Sequence, residues 1–166
     1  MHNVRGRRDH YELESNLRVA EGVLMQARDH RIMQFIRRQA IDTERAYNTK
    51  MAAGIAIKGQ LISTGRNSNR THPFAAKYSK HRAAIYLHAE TSAIANALNH
   101  VHKDELKRAT LFIHRVKHPH ARTAEWCDGL AKPCPGCMSA IAAFGIKRVI
   151  YSTDENGEYG MIEQTA

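Results

Sequence analysis

The chain has 166 residues, 43 % of them hydrophobic, with 25 Lys and Arg against 16 Asp and Glu and a formal net charge of +9. That length suits one domain with a packed core, and three cysteines are too few for a disulfide framework. No apolar run approaches the ~18 residues of a membrane span, and the positive balance favours anionic partners, nucleotides and nucleic acids alike. The opening "MHNVRGRRDHYE" is charged and lacks the apolar core of a signal peptide, so a cytoplasmic location is expected.

Residues 11–27 place Leu13, Leu17, Ala20, Leu24 and Ala27 at helical spacing and predict a helix. Residues 1–26 then read as an N-terminal helical extension and 27–166 as the main domain. Asp29 is the expected cap of a second helix carrying Ile32, Phe35, Ile36, Gln39 and Ala40. "MAAGIAI", "KG" and "QLISTG" read as strand, tight turn and strand, hinged at Lys58-Gly59. A polar loop is expected from Arg66 to about Leu87. "HAETSAIANALNHV" reads as a helix with Ile94, Leu98 and Val101 on one face.

"ATLFIHRV" is apolar on both faces and predicts a central strand. A long loop leads to "PGCMSAIAAFG", a helix with Met138, Ile141 and Ala142 inward and Gly145 as its stop. "KRVIYS" and "EYGMI" read as two last strands, and Asn156-Gly157 between them signals an antiparallel hairpin. The expected fold is α/β in three layers: a five-stranded mixed sheet with helices on both faces, its last two strands a hairpin.

The chemistry concentrates in "KPCPGC" and "LHAETSA". Alone, Cys134 and Cys137 could be a metal clamp, a redox pair or two small core residues at a helix start. Zinc takes thiolate and imidazole ligands, and C-x-x-C supplies two from one helical turn. His88 is the best third candidate, with Glu90 two residues beyond. In mid-helix, positions two apart point about 200° away from each other. The pair converges only if His88 lies at the helix entrance, outside regular geometry. The same logic sets Cys134 at the mouth of the later helix with Pro135 in its first turn. Both helix N-termini then face a metal, where their free N–H groups and positive dipole ends favour thiolates.

These two motifs resemble the H-x-E…P-C-x-x-C signature of the cytidine and deoxycytidylate deaminase superfamily. The resemblance spans roughly residues 30–163 and leaves the first ~26 outside. It implies zinc as cofactor, with His88, Cys134 and Cys137 as ligands and Glu90 as proton shuttle. Asn67, at the end of the second strand, is similar to the family's sugar-contacting asparagine, and the backbone of Ala89 is expected to meet the pyrimidine ring. Two departures stand out. About sixteen residues, 117–132, separate the third strand from Pro133, and Lys132 stands where adenosine-editing members usually carry glutamate.

The resemblance therefore implies hydrolytic deamination of a free cytosine nucleoside or nucleotide to the uracil form. Within the family an antiparallel last strand accompanies free-nucleoside enzymes. The alternative is a nucleic-acid deaminase or binding protein using the same zinc site. A third reading is a closed structural site in which Cys127 joins as fourth ligand. His114, His118 and His120 raise a second metal site, against the simpler reading of a strand end and a solvated loop. From Arg45 through Ala89 there is no acidic residue, yet Arg45, Lys50, Lys58, Arg66, Arg70, Lys77, Lys80 and Arg82 are basic. The last four lie between Asn67 and His88 and read as a phosphate-facing rim or a solvated loop. A homo-oligomer without membrane contact is expected.

Overall fold

The structure, a computed structural model, describes residues 17–43, 49–78, 86–118 and 125–165. Its scaffold starts from β2 (Thr49–Ile57) and β3 (Gln60–Arg66), joined as an antiparallel hairpin. Lys58 and Gly59 at the tip have φ of 51° and 76°. Two successive left-handed residues are what a two-residue turn between twisted strands requires. β6 (Ala109–Lys117) lies antiparallel to β2 along its whole length. On its other side β6 pairs in parallel with β8 (Arg148–Ser152) through Thr110–Ile113, then antiparallel with β7 (Cys127–Gly129) through Arg115–Lys117. β9 (Tyr159–Gln164) returns antiparallel to β8, as the Asn-Gly signal predicts.

Both faces of this sheet are covered, so its strands alternate between two apolar cores and not between core and water. On one face α1 (Ala27–Ile41) buries Met33, Ile36 and Ala40 against Ala52, Ala56, Phe112, Val116 and Ile150. On the other, α3 (Ala89–Ala97) and α4 (Pro135–Ala143) bury Ala93, Ile94, Ala97, Ala140 and Ile141 against Ala53, Ile55, Leu111, Ile113 and Val149. The three layers and mixed sheet match expectation, but among the described residues the sheet has seven strands, not five. With β1 (Leu17–Glu21) at the edge, its order is β1-β9-β8-β6-β2-β3, with β7 attached to β6.

The extra strands come from segments with weak local signals. The helix expected over 11–27 is corrected where it can be described: Leu17–Glu21 is β1, an antiparallel edge strand on β9. Only Leu17 packs on the core, so the helical spacing of the apolar residues is incidental, and pairing with β9 decides the conformation. Residues 11–16 lie outside the described residues. β7 forms inside the long 117–132 connection, where β6 runs past the end of β8 and offers a free edge.

Other boundaries shift as well. Gln26, not Asp29, is the N-cap of α1. Asp29 is buried in the first turn, with Oδ2 3.0 Å from Arg148 Nη2. Phe35 points outward at 37 % exposure, and Met33 takes the expected inward place. α3 stops at Ala97, leaving Leu98 exposed, and a 3₁₀ turn (Lys103–Arg108) leads to β6. The segment read as a polar loop holds β4 (Ser68–Thr71), α2 (Pro73–Tyr78) and β5 (Tyr86–Leu87), with β4 and β5 paired antiparallel. Among the described residues no helix is long and apolar enough to cross a membrane.

Candidate metal centre

Two helix entrances converge where His88 meets Cys134 and Cys137. His88 is the N-cap of α3, with extended φ and ψ of −75° and 158°. Cys134 is the N-cap of α4 at −70° and 164°, and Pro135 follows in its first turn. Each cap side chain thus leaves the helix axis, and each helix end presents its free N–H groups toward the same space. His88 Nδ1 lies 3.3 Å from Cys137 Sγ and 3.6 Å from Cys134 Sγ. All three ligand atoms fall within 4.8 Å of one another. Zinc bond lengths of about 2.1 Å to nitrogen and 2.3 Å to sulfur give tetrahedral N···S edges of about 3.5 Å. The donor set and its spacing fit zinc.

The packing that holds this arrangement comes largely from α3. Ala89, Glu90, Thr91, Ser92, Ala93, Ile94 and Ala97 are all buried, which explains a helix almost devoid of charge. Gly65 on β3 permits the close approach: a Cβ there would lie 2.6 Å from the Ala89 carbonyl oxygen and on top of the Ala93 amide. Ser63 Oγ donates to the Ala93 carbonyl at 2.7 Å, and Asn96 Nδ2 donates to the Thr64 carbonyl at 2.8 Å. On the α4 side, buried Ser152 Oγ accepts from the Arg115 amide at 3.0 Å and donates to the Gly129 carbonyl at 2.7 Å. The Ala131 amide then donates to the Ser152 carbonyl at 2.9 Å, which fixes the segment leading to Cys134. Gly65 and Ser152 carry no motif signal, and sequence reasoning passed over both.

Charge in the cluster is shared. The neighbouring Cys137 thiol, and then His88, hold the Cys134 thiol down at about 3 against the opposing effect of burial. The same pairing, reinforced by burial, pushes the Cys137 thiol up. Bonding to Cys134 raises His88. The Cys137 amide also donates to Cys134 Sγ at 3.5 Å, which favours its thiolate. Glu90 is 3 % exposed, and burial pushes its carboxyl above the usual range while its backbone amide and His88 oppose the shift. Its Oε2 has no hydrogen-bond partner among the described residues. An ionisable oxygen left bare beside a metal-ligand cluster is out of place in a purely structural site.

Asn67 sits just past β3, where its Oδ1 accepts from the Met51 amide at 3.1 Å. That anchors the side chain, and among the described residues Nδ2 has no hydrogen-bond partner. Ala89 is fully buried in the first turn of α3. Cys127 lies in β7 as a half-buried free thiol and does not join the His88, Cys134 and Cys137 group. His114 and His118 do not form a second metal group among the described residues. His114 is buried in β6, 3.7 Å from Asp128 Oδ1, while His118 stacks on Trp126 at 3.7 Å. His120 lies outside the described residues, as do Arg45, Lys80 and Arg82 of the basic series. Arg70 and Lys77 are exposed. Arg66 instead turns back to Gln39, with Nη2 donating to its Oε1 at 2.6 Å.

The family of the cytidine and deoxycytidylate deaminase zinc-binding region matches residues 26–153. Two crystal structures of a dCMP deaminase from the cyanophage S-TIM5 are similar in fold. The apo form is 19 % identical, covering 76 % of this chain and 84 % of that one, with a TM-score of 0.49. The complex with dCMP and dUMP is 18 % identical, covering 77 % and 83 %, also at 0.49. No curated protein is similar enough in sequence to count as a match.

Proposed function

The chain belongs to the cytidine and deoxycytidylate deaminase zinc-binding family, and from that premise we propose that it deaminates a free cytosine nucleoside or nucleotide by hydrolysis. One observation carries the reading: a buried carboxylate with a bare Oε2 stands two residues from His88 in a cluster whose spacing suits zinc. His88 through Nδ1, with the sulfurs of Cys134 and Cys137, would hold the metal. Zinc held there would supply a water whose pKa is lowered toward neutrality, the nucleophile that attack on C4 needs.

Glu90 moves the protons. Its Oε2 takes one from the attacking water and gives it to ring N3, then takes the remaining proton from the hydroxyl now on C4 and passes it to the 4-amino group as the C=O forms, the C–N bond breaks and ammonia leaves. Burial suits that task, because it raises the carboxyl above the usual range and so makes it a better proton acceptor. Asn67 Nδ2 and the backbone of Ala89 are the proposed contacts to sugar and ring. Free substrate is supported by β9 returning antiparallel to β8, and a 5′-phosphate by exposed Arg70 and Lys77 on the segment leading into His88.

Ammonia release from a panel of cytosine and adenine bases, nucleosides and nucleotides tests the reading. Turnover of a cytosine nucleoside or nucleotide that disappears in Glu90→Ala supports it. Turnover confined to adenine compounds, or to polynucleotides, overturns it.

A further inference from the structure

The outer face of α1 carries a row of cations with no ion pair among the described residues. Arg28, Arg31, Phe35 and Arg38 are exposed and follow one another at intervals of three or four residues, so they share one stripe of the helix. At about 1.5 Å per residue the row spans about 15 Å. Lys58, exposed at the tip of the β2–β3 turn, extends it, because the Arg28 side chain lies over Gly59. Among the described residues Arg28, Arg31, Arg38 and Lys58 form no ion pair. The nearby acids are committed elsewhere: Asp29 to Arg148 at 3.0 Å and Asp128 to Arg37 at 2.9 Å. Asp42, one turn past Arg38, donates its backbone N–H to the Arg38 carbonyl at 3.0 Å, but among the described residues its carboxylate forms no ion pair with Arg38.

Helix stability does not favour this pattern. Like charges three or four residues apart repel, and Arg28 and Arg31 stand near the positive end of the helix dipole, where carboxylates belong. The 3₁₀ turn on the other layer shows the stabilising arrangement, with Lys107 3.2 Å from Asp104 and Arg108 3.8 Å from Glu105. Phe35 adds a second departure. A large aromatic ring stands 37 % exposed in the middle of the row, with the Arg38 guanidinium carbon 5.9 Å from its centroid.

We propose that this stripe is a docking surface for single-stranded nucleic acid, separate from the metal centre. Cations spread along about 15 Å follow successive phosphates, and an exposed ring accepts a base by stacking, a combination indifferent to sequence. α1 covers the sheet face opposite α3 and α4, so a strand bound here does not reach Glu90. The surface localises the enzyme on a polynucleotide and presents no base for reaction.

Fluorescence anisotropy with a labelled oligothymidylate and the zinc-loaded chain tests this. Three or four phosphate contacts predict binding about twenty- to fifty-fold weaker at 200 mM salt than at 50 mM. The Arg28→Glu, Arg31→Glu, Arg38→Glu triple variant should lose at least about tenfold at low salt and show a flatter salt dependence. Phe35→Ala should lose about fivefold or more with the salt dependence kept, and Phe35→Trp should restore it. Melting temperature and ammonia release should stay at parent levels, and Arg→Gln changes at the same three sites replace the reversals if folding suffers. A single-stranded RNA bound in the same way also supports the proposal. Absence of salt-dependent binding by the parent overturns it, as does parent-like binding by the triple variant. Equal affinity for a duplex or for anionic lipid vesicles overturns it too, as does loss through Arg70→Glu, Lys77→Glu alone.

Discussion

His88 Nδ1 lies 3.3 Å from Cys137 Sγ, although 49 positions separate the two residues. The contact exists because α3 and α4 pack side by side on one sheet face and begin at the same end of it. With the 3.6 Å approach of Cys134, it outlines two edges of a tetrahedron of the size zinc requires.

The parent protein should purify with close to one zinc per chain by elemental analysis. Cys134→Ala, Cys137→Ala should retain less than about a tenth of it, because one imidazole cannot hold the ion alone, and the melting temperature should fall with the metal. Full zinc retention by this variant would exclude the two thiols as ligands.

Glu90→Ala should behave differently, since the carboxylate is assigned to proton transfer and not to the metal. Zinc content and fold should be kept while turnover falls about 100- to 10,000-fold. Activity within a few-fold of the parent would mean that another group moves the proton.

Gly65→Ala adds one methyl where β3 meets the first turns of α3, against backbone atoms that have no room to retreat. Overpacking of this kind costs about 1–3 kcal/mol. Urea denaturation should show that loss. Turnover should fall further than stability accounts for, because the displaced turn carries both His88 and Glu90. An unchanged melting curve would mean that β3 and α3 separate freely.

His114 should make stability depend on pH. Burial, with Arg37 adding to it and Asp128 opposing, lowers its pKa from 6.5 to about 4. Between these values the unfolded chain binds more protons than the folded one, so stability rises with pH there. The contribution is fully present above about pH 6.5 and is lost as pH falls toward 4, with a ceiling of roughly 3 kcal/mol. Urea midpoints measured across that window should drop less for His114→Gln than for the parent. Parallel curves would show that His114 is not the titrating group.

Arg70→Glu and Lys77→Glu, made singly, should raise KM for the cytosine monophosphate at one or both positions and leave the nucleoside KM nearly unchanged. A single phosphate held by charge-assisted bonds loses affinity at the residue that touches it. Equal effects on both substrates would assign these residues to a solvated loop.

What the sequence determined by itself was local. Lys58-Gly59 demanded a tight turn through its left-handed backbone, Pro135 after Cys134 marked a helix entrance, and H-x-E with C-x-x-C named the metal chemistry. Each signal lies within a few neighbouring residues, so its physics needs no knowledge of the fold. Tertiary structure decided the rest. Leu17–Glu21 became a strand because β9 offered an edge, despite helical spacing in its own residues. Cys127–Gly129 became another where β6 outran β8. Asp128 in that strand gathers Arg37, the Gly157 amide at 2.9 Å and a contact to His114, and Ser152 fixes the approach to Cys134. Edge pairing and buried polar contacts depend on which distant residues arrive nearby, and a linear pattern carries no record of that.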